Sequence, residues 1–283
     1  MVPIMTFAPD PFLDQIRSNP DDDDLRLVYA DWLEERGDPR GDFLRLLVEQ
    51  RRESPPFYAE HLEKQIRLNQ LRRSCPVEWL AGVDGLFHDE SIRKIIAAEM
   101  VGSFAPYNLA MESHRCRYDA ANDYLKNVGA ALRESGTVDV MLTEFDCFGS
   151  GYSSFGRVFC SKQNGLATVW KDGVATTTGI CILLCRLAPA AVWFGASISR
   201  SSDCSGGPGF PEPGGLYVPE SDSWTKDSWT REIERIEMEL CRHGFTLPRA
   251  EELERRLPFQ ANIHTLLNFG EFRYLDAFFY WED

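Results

Sequence analysis

Residues 155–173 read FGRVFCSKQNGLATVWKDG, and they set the class of the fold. Phe155 to Ser161 is rich in strand-forming residues. Asn164-Gly165 favours a type I′ hairpin turn, because both central residues of that turn need positive φ. Leu166 to Lys171 then returns, and Asp172-Gly173 is a second turn of the same kind. Upstream, Val138, Val140, Leu142 and Phe145 begin a strand, and Gly149-Ser150-Gly151 turns it toward Phe155. The expectation is a three-stranded antiparallel meander. Downstream, 178–187 fits either a buried strand or a buried helix. Ala190 to Ser199, with Val192-Trp193-Phe194 inside it, reads as a further strand.

Helices flank this β region. Ser91 to Met100 fits a helix. Arg117 to Ser135 carries Tyr118, Ala121, Tyr124, Leu125, Val128 and Leu132 on one side, and Gly136 caps it. Residues 203–215 hold five glycines and three prolines and read as a long loop. Ser228 to Arg242 is amphipathic through Trp229, Ile233, Ile236 and Leu240, with Gly244 as its cap. Arg249 to Arg256 is a shorter helix, and the aromatic tail 272–281 fits either type. Strands in one block with helices around them give an α+β domain.

The first 80 residues are helical throughout. Asp10-Pro11 opens a helix that Asn19-Pro20 stops, since a residue before proline leaves the helical region. Asp21 to Asp24 put four carboxylates at the next helix start, where they cap backbone N–H groups and complement the dipole. Leu25, Val28, Tyr29, Trp32 and Leu33 then mark one apolar stripe, and Trp32 is the expected centre of its packing. Gly37 ends that helix. Asp38-Pro39 starts another, striped by Phe43, Leu46 and Leu47. After Ser54-Pro55-Pro56 a fourth helix runs from Phe57 to about Arg73. Short connections make antiparallel neighbours, so 1–83 reads as a small helical bundle and 84–283 as the α+β domain, with Val83-Asp84-Gly85 between them.

The run from Phe12 through Asn19-Pro20-Asp21-Asp22 and Leu25-Arg26-Leu27-Val28-Tyr29-Ala30-Asp31-Trp32-Leu33-Glu34-Glu35-Arg36-Gly37-Asp38-Pro39-Arg40-Gly41-Asp42-Phe43-Leu44-Arg45 resembles the bacterial repeat-companion domain. That family is a short N-terminal module, usually placed ahead of leucine-rich or similar repeats. The likeness is specific over about 11–50 and loose to about 80, under a third of the chain. It implies no catalytic residues, and the module's company with recognition repeats implies an adaptor. The chain departs from the pattern, because no repeat of period 20–50 follows residue 80.

Composition narrows the function classes. Thirty Lys and Arg against 44 Asp and Glu give −14 over 283 residues. Such a balance argues against a basic footprint for nucleic acid or anionic membrane. Met1 to Pro11 lacks the charged and apolar regions of a signal peptide, and the longest apolar runs are too short to span a bilayer, which together point to the cytoplasm. Eight cysteines without a CxxC pair read as reduced core residues. Cys181 and Cys185, four apart, make a poor metal pair. No metal and no cofactor are expected.

Several constellations bear on chemistry. Gly149-Ser150-Gly151-Tyr152 lies between strands without a following Lys-Ser/Thr, so it is a turn and not a phosphate loop. Cys147 with His114 and Asp146 would assemble a cysteine hydrolase, the alternative to a binding protein. Phe278-Phe279-Tyr280-Trp281, Trp224 and Trp229 form either core or an interface patch. Residues 212–283 carry 15 acidic against 8 basic residues, hence −7, half of the net charge in a quarter of the chain. Trp224, Trp229, Glu251, Glu252 and Glu254 are therefore the expected contact residues for a basic protein partner. An immunity-type protein masking a basic toxin is one concrete form of that reading.

Overall fold

The computed structural model describes residues 11–52, 59–97, 114–145, 152–201, 226–265 and 271–282. It is an α+β fold: helices first, then an antiparallel sheet flanked by helices. The N-terminal helices are α1 (Pro11–Ser18), α2 (Asp23–Glu34), α3 (Arg40–Arg52), α4 (Ala59–Ser74) and α5 (Val77–Val83). Asp22 caps α2, its carboxylate accepting from Leu25 N at 2.9 Å. Its acidic neighbours do more than cap. Asp21 and Asp24 pair with Arg51 (3.2 Å) and Arg52 (2.7 Å) of α3, and Asp23 lies 3.6 Å from Arg26. Gly37 follows α2 at φ +67°, which a side chain would resist.

The buried face of α2 is rotated from the expected stripe. Arg26, Tyr29, Ala30 and Leu33 face inward, while Val28 is 55% exposed. Arg26 goes inward because its guanidinium finds polar partners there: Nε donates to Val83 O at 3.3 Å and Nη1 to Asp22 O at 3.3 Å. Trp32 is correspondingly peripheral. It packs at the edge of the core under Arg36, whose Cζ sits 3.8 Å from the ring centroid. The centre is instead Tyr29, Phe43 and Trp79, with Leu33, Leu44, Leu47 and Leu80.

After a 3-10 turn at Gly85–Phe87 come α6 (Asp89–Ile96) and α7 (His114–Glu134). The strands are β1 (Val138–Glu144), β2 (Tyr152–Ser153), β3 (Phe155–Lys162), β4 (Thr168–Lys171), β5 (Val174–Cys185) and β6 (Ala191–Ser201). The last elements are α8 (Thr230–Arg242), α9 (Ala250–Leu253), α10 (Tyr274–Phe278) and β7 (Trp281–Glu282), which pairs with β2.

The sheet corrects the meander. β3 and β4 do not pair with each other. Both lie antiparallel on one edge of β5, end to end, with Phe155–Cys160 opposite Ile180–Cys185 and Thr168–Lys171 opposite Val174–Thr177. Asn164 and Gly165 do adopt positive φ, 58° and 67°, but they kink one interrupted strand without reversing it. The hairpin turn is Asp172-Gly173, joining Lys171 to Val174. β5 is long enough to template both pieces, so it overrides the local turn signal.

β5 also settles 178–185 as strand, with 186 and 187 beyond its end, and its lack of period has a physical reason. Ile180, Ile182 and Leu184 pack toward α7 and α8, while Cys181, Leu183 and Cys185 pack toward α6 and α10. A strand covered on both faces shows no alternation. The core of 12–83 is separate from these two, and the change falls between Val83 and Phe87. Among the described residues no helix is long and apolar enough to cross a membrane.

Candidate functional site

The structure disperses the residues expected to meet a partner. Trp224 lies outside the described residues. Trp229 is buried between the sheet and α8, with Lys162 Nζ 4.9 Å from its ring centroid. Glu252 is buried too, and both its oxygens take N–H groups of Arg72, at 2.6 and 3.2 Å. Glu254 is half-buried and pairs with Arg273 at 2.7 Å. Glu251 alone of the three acids is exposed. Burial removes Trp229 and Glu252 from any outer surface, so the four described residues do not form one face. The aromatic tail is core: Phe278, Phe279 and Tyr280 are buried, and Tyr280 Oη donates to Ile95 O at 3.0 Å.

Cys147, Asp146 and residues 149–151 lie outside the described residues, as do Cys204 and the side chains of His114 and Cys116. The five described cysteines, Cys75, Cys160, Cys181, Cys185 and Cys241, are free and buried. Burial pushes the thiols of Cys75, Cys185 and Cys241 up to about 11 and that of Cys181 to about 12, which suppresses the nucleophilic thiolate. Among the described residues no three of His, Cys, Asp and Glu gather as a metal site.

Two features stand out instead. The first is exposed. Beyond the end of β3 the sheet ends in a three-stranded tip, with β4 as the edge strand on β5 and β6 on the other side of β5. Leu166, Val169 and Trp170 on it are 78%, 66% and 68% exposed. Adjacent strand residues point to opposite faces, so Val169 and Trp170 present apolar surface on both sides of the tip. The sequence held a signal for this. Six residues between two turns are too short to reach the core at both ends.

The second is buried, and it joins the two halves. α4 turns Gln65, Asn69, Arg72 and Arg73 toward the C-terminal half, spaced i, i+4, i+7 and i+8 on one helical face. Gln65 Nε2 and Asn69 Nδ2 donate to Phe245 O at 3.0 and 3.4 Å, and Asn69 Oδ1 accepts from Leu247 N at 3.1 Å. Arg72 bridges Asp84 and Glu252. Burial alone would lower the Arg72 pKa, but the two carboxylates outweigh it and hold the pKa above its ordinary value. Arg73 reaches Glu237 of α8 at 2.6 Å. In return Arg249 donates to Arg73 O and Cys75 O, at 3.1 and 2.9 Å.

Set against family models, curated proteins and solved structures, the chain matches none.

Proposed function

We propose that the chain is a non-enzymatic protein-binding protein, an adaptor built on a helical module of repeat-companion type, whose contact element is the β4–β5 tip. The observation that carries the reading is the grouping of Leu166, Val169 and Trp170 there, all largely exposed. Exposed apolar side chains scattered singly need no explanation, whereas three within five residues of one sheet edge, on both of its faces and with a Trp as anchor, favour a contact edge. Net charge gives the partner's chemistry. At −14 the field of the whole protein draws a basic protein and repels nucleic acid. Glu251, exposed on α9, belongs to that field. Masking of a basic toxin is one form this function takes, and a cytoplasmic setting agrees with the reduced cysteines.

The test compares full-length wild type with a Leu166→Ser, Val169→Thr, Trp170→Ser variant as baits. Exposed substitutions of this kind shift stability by about 0.5 kcal/mol or less, so the variant stays folded. The expected result is a basic protein retained by wild type and lost by the variant, with an association rate that falls as salt rises. Equal retention by both baits overturns the assignment of the tip. An association rate indifferent to salt overturns the electrostatic part.

A further inference from the structure

The phase of β4 on β5 shows which of its backbone groups are spare. Ala167 O accepts from Thr178 N at 2.9 Å, so Ala167, Val169 and Lys171 turn their N–H and C=O groups to β5. Thr168 and Trp170 turn theirs outward, and among the described residues no strand takes them up. Sheets ordinarily guard such an edge with a bulge, a proline or charge. β1, at the other end of the sheet, does so: its register shifts between Val140 and Leu142, and it carries Asp139 and Glu144. β4 has neither bulge nor proline, and its one charge, Lys171, sits beside the turn.

This edge is self-complementary in one register. Two copies related by a two-fold axis pair antiparallel, and outward residues must meet outward residues. Centring the pair on Val169 sets Thr168 of each copy opposite Trp170 of the other, and both of these pairs exchange N–H···O bonds. Centring it on Thr168 brings in Leu166, whose backbone is helical (φ −58°, ψ −18°). Centring it on Trp170 brings in Asp172, in the turn at φ 49°. Either shift keeps a single exchanging pair in place of two. In the Val169-centred register no like charges face each other, because Lys171 lies across from Ala167 and Asp172 from Leu166. Val169 meets its copy on one face of the sheet. On the other face the two Trp170 rings lie diagonally, within reach of each other.

We propose that β4 pairs with β4 of a second copy in this register, so that one sheet continues across a two-fold axis. The dimer covers the exposed Val169 and Trp170. Pairing therefore withdraws the tip from other partners, a consequence that rests on the reading of the tip as the contact element. A standard interface draws about 20–30 residues from each side. β4 and its flanks offer fewer, so the dimer is weak and its population is set by concentration. Both copies carry −14, so salt strengthens the pairing by screening their repulsion.

Sedimentation velocity of the full chain, up to about 1 mM, reads the dimer. Wild type is expected to dimerise at high concentration, and more readily as salt rises. Thr168→Pro removes an outward N–H without touching the β5 ladder, and it should weaken the dimer about tenfold or more. Val169→Cys gives a second readout. A non-hydrogen-bonded pair holds its Cα atoms about 4.5 Å apart, within the span of a disulfide. Under mild oxidation Val169→Cys should cross-link well above wild type, whereas Thr168→Cys, whose counterpart is Trp170, should not. A monomer at every concentration leaves the edge to some other chain and overturns the inference. So does a dimer that salt weakens, a dimer unchanged in folded Thr168→Pro, or equal cross-linking of the two cysteine variants. Thr168→Pro keeps Leu166, Val169 and Trp170, so as a bait it should still retain the basic protein. Retention there with no dimer in wild type sinks the pairing alone, and a dimer with no retained protein sinks the partner reading alone.

Discussion

Trp79 donates its indole N–H to Tyr29 Oη at 2.8 Å, and the bond lies at the centre of the helical half. Both rings are buried, one from α5 and one from α2, and Phe43 of α3 meets Trp79 edge-on at 5.7 Å. Three helices are thus fixed by one aromatic group.

Trp79→Ala should therefore cost about 3–5 kcal/mol, the range for a large buried aromatic. Trp32→Ala should cost clearly less, because that ring sits at the rim under Arg36. Tyr29→Phe leaves the Trp79 N–H buried without its acceptor, at about 1–3 kcal/mol. Urea unfolding of the three variants checks the order. Equal losses from Trp32→Ala and Trp79→Ala would contradict the rotation of α2.

Arg72 gives the second prediction. Replacing it by Met leaves buried Asp84 without this guanidinium and Glu252 with the longer Arg249 contact, at 3.4 Å. Removing one partner of a buried charge pair costs about 3–5 kcal/mol. The loss falls on the seam, so the melt should broaden or split, the helical half separating from the sheet half. The triple variant Arg72→Met, Asp84→Asn, Glu252→Gln should regain part of the loss, since no buried charge is orphaned. Calorimetry reads both, and a single unshifted transition for Arg72→Met would show that the seam adds nothing.

These two cases mark what local pattern could and could not carry. Most helix positions, the strands at β3 and β6 and the α+β class follow from period and from Gly and Pro punctuation, whereas α5, which carries Trp79, has no such local mark. The face of α2 does not, because Arg26 turns inward for Val83 O, an acceptor 57 residues away. Strand pairing is equally non-local. Asn164-Gly165 has hairpin chemistry, yet β5 determines what it connects. Among the expected contact residues, Glu252 looks in sequence like one more acid on a solvated helix. Its partner Arg72 lies 180 residues earlier, so its burial has no local signature. The exposed tip was legible in principle, through the brevity of Leu166 to Lys171.

The thiols make a prediction about pH. Burial raises the folded-state pKa of Cys75, Cys185 and Cys241 to about 11. In the unfolded chain a thiol ionises near 8.5, by the usual reference value of about 8.5. The folded state thus holds these protons more tightly. The resulting stability is complete below the unfolded pKa and is lost as pH rises through the folded one. Stability should decline from about pH 9 to about pH 11, and native alkylation at pH 8 should be slow for these three. Denaturant midpoints against pH, with mass-spectrometric counting of alkylated thiols, provide the check. Fast native labelling of Cys185 would refute its burial.

Arg186 supports the last prediction. Its guanidinium is buried just after β5 and gathers acceptors from three places. Nε donates to Asn122 Oδ1 of α7 at 2.7 Å, and Nη2 to Phe145 O beyond β1 at 2.7 Å. Nη1 reaches Ser153 O at 2.8 Å, Ser153 Oγ at 2.6 Å and Phe155 O. The planar fork of five N–H donors lets one side chain tie α7, the end of β1 and the start of β3 together. Arg186→Met keeps much of the volume but strips buried oxygens of their donor. Each buried acceptor left unsatisfied costs about 1–3 kcal/mol, so a loss of several kcal/mol is expected, enough to unfold a marginal domain. Arg186→Lys keeps the charge but cannot span the set, and should recover only part of the stability. Asn122→Ala removes one acceptor and should cost far less than either. Should Arg186→Met unfold at the wild-type midpoint, the guanidinium would not be the tie between these elements.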